Sequence, residues 1–478
     1  MHTVTDVLVI GGGIIGCAIA QRLAQRKIRI CTVFEWPPPA GQASAASGAM
    51  LCVFSEVTPS HDIARQDLEL TYHVSARKLY DDWLCELREA GTPQLSLVPG
   101  LFVIANARGD NDLIEIDAIR NAASRFESTT ENVRPSDITG LRPASKYPCS
   151  QAIYLPDEGS VDSEILLTSL NTYLKHHSSV TMLSGTVASL HIDSSQVTAT
   201  LADGHIVIAD RVVLCCGAAA QHLLTSSSLA SANVPALLSG RGTSLVVRTS
   251  TAFPTPIRTP NRGFACGVHV VPRMNGHVYL GATNRLSTAP DFTATPRLSE
   301  LSALTYGVVH EISTSLVDAE VITSRVGHRP VTIDKIPLVG RTWEERVLIA
   351  SGTYRNGMLL SPLIANLIAD EIMHPGSTDD HHYSPRRTVR SGTPDDVNTW
   401  LLSMSRSLVA SLSELGGVLP YGRDRDLQEF IAAALRPFLD DSYDPRRLAK
   451  VAQRLLRQAP AEESVPLLFE LVSKDFRT

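Results

Sequence analysis

The most legible chemistry lies near the start of the chain. Gly11, Gly13 and Gly16 carry the spacing G-x-G-x-x-G, and Glu35 supplies a carboxylate about 20 residues further on. Together these groups can hold a dinucleotide. Gly11 allows a tight turn, Gly13 lets the backbone approach a pyrophosphate, and Gly16 lets a helix pack closely on a strand. The start of that helix then offers unpaired amides and positive dipole charge to the phosphates. Glu35 can accept hydrogen bonds from both ribose hydroxyls, and its charge disfavours a 2′-phosphate.

Such groups work together only if a strand, a helix and a second strand present them in register. Asp6 to Ile10 reads as a strand buried on both faces and runs directly into the glycines. A helix follows from about Ile14 to Arg26, and a second apolar run, Ile28 to Phe34, ends in Glu35. The competing reading of Val7 to Ala20 is a signal peptide. Against it, no cationic segment precedes the stretch, three glycines interrupt it, and Arg22, Arg26 and Lys27 follow at once. Further on, Gly41 to Met50 is almost entirely small residues, so backbone amides there can lie against a flat ligand, and Ser44 and Ser47 could donate hydrogen bonds to it.

With 478 residues the chain can form two or three domains. Its 43 basic and 49 acidic residues give a net charge of −6, which argues against a nucleic-acid partner, and no apolar run reaches the length of a membrane span. The eight cysteines form no C-x-x-C pair and read as reduced core thiols of a cytoplasmic protein. No histidine spacing indicates a metal site, and His381-His382 reads as a solvated pair in a polar loop.

In chain order, His61 to Ala90 has helical spacing with Leu68, Tyr72, Leu79, Trp83 and Leu87 on one side, and Leu97 to Ala105 reads as a strand. The region to about Ser150 is poorly patterned. A helix then runs from Gly159–Asp162 to about Leu174, followed by strands near Val180 to Leu190, Val197 to Leu201, His205 to Ile208 and Arg211 to Cys216, with a turn at Asp203-Gly204. Alternating residues on either side of Met274-Asn275-Gly276 mark a hairpin within Gly267 to Ala282. Ser361 and Pro362 suit the start of a helix reaching about Glu371.

Two later stretches carry specific motifs. RVGHRPVTIDKIPLVG, Arg325 to Gly340, has the form G-x-R-P-x-x-x-D-x-x-P-x-x-G, and VLIASGTYRNGMLLSPLIANLIADEI, from Val347, contains G-x-x-R-N-G-x-x-x-x-P. With the N-terminal unit and the small-residue stretch, they resemble the FAD-dependent D-amino-acid oxidase superfamily, most closely its glycine oxidase branch. The resemblance covers a little under four-fifths of the chain and ends near Met373. It implies an α/β (α+β overall) fold: a Rossmann-type FAD-binding domain from 1–80, 150–235 and 325–373, and an antiparallel-sheet substrate domain from 81–149 and 236–324. It implies noncovalent FAD, since no cysteine adjoins His328 or Arg329 where a related branch attaches its flavin. The cofactor contacts it implies are Gly11, Gly13, Ile14, Ile15, Gly16, Glu35, Ser44, Ser47, Gly48, Met50, Val187, Gly217, Gly352, Arg355, Asn356, Gly357 and Met358. The implied catalytic residues are Arg329 as carboxylate anchor, Arg355 as a second cavity arginine, and His269.

A planar guanidinium can grip a carboxylate by two parallel hydrogen bonds and so place an α-hydrogen against the flavin. For each arginine the alternative is a salt bridge to a nearby acid such as Asp334. His269 stands where the branch has a tyrosine ahead of I-V-P-R; it is shorter, which points to a substrate other than plain glycine. The implied reaction takes a small amine or amino acid to an imine, with oxygen reoxidising the flavin to give hydrogen peroxide. Other readings are a dehydrogenase that feeds a quinone or partner, a tailoring enzyme for a carrier-tethered amine, and a noncatalytic flavin-binding subunit. Beyond a linker at 374–396, residues 397–478 read as an all-helical appendage of four segments, Asn398 to Leu415, Leu427 to Leu439, Pro445 to Gln458 and Ala461 to Phe476. That appendage could pack on the body, form a homo-oligomer or bind a protein partner.

Overall fold

The computed structural model describes residues 2–387 apart from 61, 93, 107–110, 227, 228, 230–233, 263–265, 288, 289, 293, 294 and 333, together with 405, 406, 409 and 423–435. Two sheets organise them. The first has eight strands, and its parallel centre holds Val347–Ser351, Ile206–Leu214, His2–Ile10, Ile30–Val33 and Val180–Leu183 in that order. Val7, Leu8, Val9 and Ile10 are buried, as a strand covered on both faces demands. Helix Ile14–Gln25 packs against helices Gly357–Met373 and Ser163–His176 on one side of this sheet. The strands expected at His205 to Ile208 and Arg211 to Cys216 are one continuous strand, Ile206–Leu214, because Asp210 interrupts the apolar pattern without interrupting the ladder to His2–Ile10.

The second sheet has ten strands and is mainly antiparallel. Its long members are Leu97–Asn106, Cys149–Val161, Leu237–Arg248 and Glu320–Thr332. His269–Pro272 and His277–Gly281 form the expected hairpin, and Asn275 and Gly276 turn it with φ of 60° and 72°. The boundary expected at 325 falls inside Glu320–Thr332, which pairs with Leu237–Arg248 along its length. Likewise, the boundary at 150 falls inside Cys149–Val161, which pairs with Leu97–Asn106.

Several local expectations change. The long helix is two, Ile63–Lys78 and Tyr80–Glu89, and Leu68 faces solvent while Trp83 and Leu87 are buried. In the weakly patterned region, Asn111–Arg125 is a helix whose Ile116, Ile119, Ala122 and Ala123 are buried. The final Rossmann helix begins at Gly357, not at Ser361. Pro362 therefore sits in its second turn and cannot donate to the Met358 carbonyl; the Ser361 hydroxyl at 2.9 Å and the Tyr80 hydroxyl do so instead.

Of the cysteines, Cys17, Cys31, Cys52, Cys215 and Cys266 are buried, whereas Cys85 is exposed and Cys149 and Cys216 are half-buried; all are free thiols. His381 and His382 are half-buried rather than freely solvated: both rings pack on Tyr72, and burial pushes His381 down to about 4. Within the expected linker, residues up to 387 are fastened to the body. Glu371 accepts from the amides of Gly376 and Thr378, Tyr383 is buried, and Arg387 grips Asp334. Of the expected appendage, Asp424–Leu435 is a helix, and Gln428 donates to Asn111 at 3.1 Å. The segment Leu427 to Leu439 thus begins inside a helix, while Pro445 to Gln458, Ala461 to Phe476 and most of Asn398 to Leu415 lie outside the described residues. Among the described residues no helix is long and apolar enough to cross a membrane.

Candidate active site

The turn after the first strand is built as its glycines require. Gly11 has φ of +116°, and a side chain there would collide with the Cys215 carbonyl; one at Gly16 would collide with the Gly11 carbonyl. Helix Ile14–Gln25 therefore starts hard against the strand. Its first amide, Ile14 N, is met by Ser44 Oγ at 3.0 Å, so the small-residue stretch lies directly over the turn. Glu35 closes the second strand and accepts from the Thr186 hydroxyl at 3.1 Å.

The second sheet holds the small-residue stretch from above. Three consecutive carbonyls are taken: Ala45 by Arg325 at 2.7 Å, Ala46 by Tyr279 at 3.0 Å, and Ser47 by Arg273 at 2.7 Å. Gly48 passes so close that an added methyl would lie 2.9 Å from the Tyr279 ring and 3.3 Å from His269 Nε2. A cavity of about 490 Å³ lies between turn and roof, lined at once by the glycine turn and Glu35 and by Arg329, Arg355 and His269. It adjoins the N-terminus of helix Gly357–Met373 through Gly357 and Met358, which aims that helix's positive end inward.

Arg329 comes from strand Glu320–Thr332, opposite Gly240 in the pairing. Its guanidinium lies across Gly242, where any side chain would displace it, and donates to the Thr283 carbonyl and to Asn284 Oδ1, both at 3.1 Å. Asp334, the acid considered as its partner, is bound by Arg387 instead. Asn284 also donates to the Tyr354 hydroxyl. Tyr354 has φ of 48°, a strained conformation for a non-glycine residue, and is held by the hydrogen bond its backbone amide donates to the Pro330 carbonyl at 2.8 Å. Arg355 lies 4.8 Å over the Tyr354 ring and donates to Asn261 Oδ1 at 2.8 Å.

Behind these sits Glu56, 3.9 Å from Arg355 and 3.2 Å from the fully buried Arg258. Burial pushes the Glu56 carboxyl up, but Arg355 and Arg258 outweigh this and hold it below the usual carboxylate range. His269 is buried and stacked on Tyr279 at 5.7 Å. Burial, reinforced by Arg258, drives its pKa down to about 3, so the imidazole is neutral.

Of the residues named from sequence, Gly11, Gly13, Ile14, Ile15, Glu35, Ser44, Ser47, Gly48, Met50, Val187, Gly217, Arg355, Gly357 and Met358 line this one cavity, as do Arg329 and His269. Gly16, Gly352 and Asn356 do not. Gly16 serves helix packing, Gly352 turns beside Thr332 with φ of +74°, and Asn356 stands at the N-cap position of the last Rossmann helix without a side-chain capping bond. Glu56, Tyr354 and Asn284 were missed. Tyr354 adjoins Arg355 in the motif, which is a signal of a kind; nothing local marks Glu56 or Asn284. Cys215, Cys216 and Cys266 also reach the lining, although none adjoins Arg329 in sequence. Glycine cradle, terminal carboxylate and facing helix dipoles together fit a dinucleotide such as FAD.

A match to the FAD-dependent oxidoreductase family covers residues 6–371. Glycine oxidase of Geobacillus kaustophilus is 28% identical over 372 residues, which is 76% of this chain and 92% of that protein. The bifunctional protein ThiO/ThiG of Trichormus variabilis is also 28% identical, over 81% of this chain, but the chain spans just 56% of its length. Among solved structures, G. kaustophilus glycine oxidase aligns with a TM-score of 0.69 at 24% identity, over 81% of this chain and all of that one (100%). Iminodiacetate oxidase from a Chelativorans species aligns at 0.66 and 23% identity, over 80% and 99%. These structural likenesses show the fold. The chain belongs to the FAD-dependent oxidoreductase family, within its amine and amino-acid oxidoreductases and near the glycine oxidase-like members.

Proposed function

We propose that the protein oxidises a small amino acid or carboxylate-bearing amine to its imine, with oxygen as the electron acceptor and hydrogen peroxide as the second product. The observation that carries this reading is Arg329: a cavity guanidinium held by a carbonyl and an amide oxygen, with no carboxylate within ion-pair distance among the described residues. Its charge is thus available to a substrate carboxylate.

Asn284 and the Thr283 carbonyl fix the plane of Arg329, which fixes how the substrate carboxylate lies. FAD, when bound, supplies the hydride acceptor and the route of two electrons to oxygen. Neutral His269 adds no charge near the amine, so the lone pair that must form the imine is not held by a cation there. His269, shorter than tyrosine, leaves room beyond an α-carbon, which supports a substrate larger than glycine. FAD is held noncovalently, and precipitating the protein with acid should release the flavin into solution.

The test is anaerobic mixing of the purified holoenzyme with glycine, sarcosine, D- and L-amino acids and simple amines, followed by flavin absorbance near about 450 nm. Bleaching by carboxylate-bearing amines, with one peroxide formed per turnover in air, is the expected result. Bleaching without peroxide would reassign the protein as a dehydrogenase. A His269→Tyr variant that gains no glycine turnover would remove the size argument.

A further inference from the structure

Two guanidiniums stand side by side at one wall of the cavity, where like charges repel unless something both neutralises and aims them. Arg355 lines the cavity, and Arg258, with no exposed side-chain surface, lies behind it. Two acceptors are shared between them. The Glu56 carboxylate lies 3.2 Å from Arg258 and 3.9 Å from Arg355, and Asn261 Oδ1 accepts from Arg258 at 2.7 Å and from Arg355 at 2.8 Å. These bridges supply different things. Glu56 supplies the counter-charge: burial pushes its carboxyl up, and Arg355 and then Arg258 pull it below the usual range. An ion pair at 3.9 Å is too long for a hydrogen bond, however, and does not fix how the guanidinium is turned. The 2.8 Å bond to Asn261 is directional.

Asn261 can itself be aimed in one way. Its Nδ2 donates to the Glu56 carbonyl at 2.7 Å, so its oxygen faces the guanidiniums, which have no acceptor to offer an amide NH2. That carbonyl belongs to a pinned segment. Glu158, fully buried, takes the amides of Val53, Phe54 and Ser55 at 3.0, 2.6 and 2.9 Å. Asn261 is 1% exposed and stands behind the residues that line the cavity, so its influence on a ligand passes through Arg355. From there the connection runs inward. Arg355 lies 4.8 Å over the Tyr354 ring, the Tyr354 hydroxyl accepts from Asn284, and Asn284 Oδ1 accepts from Arg329 at 3.1 Å.

We propose that Asn261 is a positioning residue for the oxidation: it holds Arg355 over Tyr354 and so, through Tyr354 and Asn284, sets the plane in which Arg329 meets a substrate carboxylate. This inference rests on the oxidase reading above. A carboxylate turned out of that plane carries its α-hydrogen away from the hydride acceptor, which costs rate as well as binding.

The experiment uses the FAD holoenzyme and reads anaerobic flavin bleaching per bound flavin, so that loss of FAD-loaded protein does not enter. The substrate is whichever of glycine, sarcosine and the D- and L-amino acids bleaches the unaltered enzyme fastest. Asn261→Ala should bleach about tenfold more slowly and bind acetate, an unreactive carboxylate, about tenfold more weakly by calorimetry. Asn261→Asp, which keeps an oxygen facing the guanidiniums, should stay within about threefold of the unaltered enzyme. Because Asn261 acts through Arg355, Arg355→Gln and the double variant should bleach within about twofold of each other. Should Asn261→Ala not retain FAD, Asn261→Ser takes its place in this cycle. Multiplication of the two single losses in the double variant would overturn the proposal. So would Asn261→Ala bleaching and binding acetate as the unaltered enzyme does, or Asn261→Asp being as slow as Asn261→Ala. Each of these leaves the oxidase reading intact, whereas an unaltered holoenzyme that none of these amines bleaches defeats that reading and this proposal with it.

Discussion

At the scale of single residues, the site depends on which charges are paired and which are left over. Arg329 is planar and held at two points, so a shorter or rounder cation in its place loses the two-bond grip on a carboxylate. Arg329→Lys should lower kcat/KM for the best substrate by about 100-fold, read by steady-state kinetics, with little change in the unfolding midpoint. His269 gives a prediction in pH. Its pKa is about 3 folded against 6.5 for the free side chain, so the unfolded chain binds a proton that the folded one refuses. Stability from this residue is complete above pH 6.5 and is lost as pH falls from there toward 3, a loss on the order of several kcal/mol. His269→Gln should flatten that acid-side decline in urea-unfolding midpoints measured from pH 7.5 down to 4.5. Turnover should show no limb from His269 across the neutral range.

At the scale of elements, the roof sheet shapes the floor. Arg325, Tyr279 and Arg273 take the carbonyls of Ala45, Ala46 and Ser47, which leaves the opposite side of that stretch facing the cavity. Arg273 is the most enclosed of the two arginines and also donates to the Val161 carbonyl at 3.0 Å. Arg273→Met would strand two carbonyls, at roughly 1–3 kcal/mol for each that stays dry. The expected outcome is FAD affinity at least tenfold weaker, measured by flavin fluorescence released on dilution. Helix Gly357–Met373 shows the same dependence. Pro362 would read as a helix start, yet Ser361 and Tyr80 satisfy the carbonyl it abandons, and the helix gains a turn that brings Gly357 and Met358 to the cavity.

At the scale of the whole molecule, the chain crosses between two sheets and is tied off by a strap. Arg387 makes a two-pronged pair with Asp334 at 2.7 and 2.9 Å and also donates to the carbonyls of Ile336 and Pro337. These partners lie on the turn that follows the Arg329 strand. Arg387→Ala should destabilise the protein by about 1–3 kcal/mol, because it leaves the half-buried Asp334 carboxylate without its cation. The check is chemical denaturation followed by tryptophan fluorescence. If Arg387 were an ornament of a loose linker, the midpoint would not move.

By itself the sequence determined the parts whose cause is local. The glycine turn, its flanking strand and helix, the carboxylate at Glu35 and the hairpin at Asn275-Gly276 follow from backbone freedom and from apolar runs a few residues long, and all are present. Motif spacing likewise brought Arg329 and Arg355 to notice. Tertiary structure decided what each side chain meets. Asp334 stands five residues after Arg329 yet pairs with Arg387, while Glu56 meets Arg258 and Arg355 from across some 200 and 299 positions of chain. Electrostatic partnership depends on distance and solvent exclusion, neither of which a linear spacing encodes. That is why the arginines could be read in advance, whereas the partners that surround them could not.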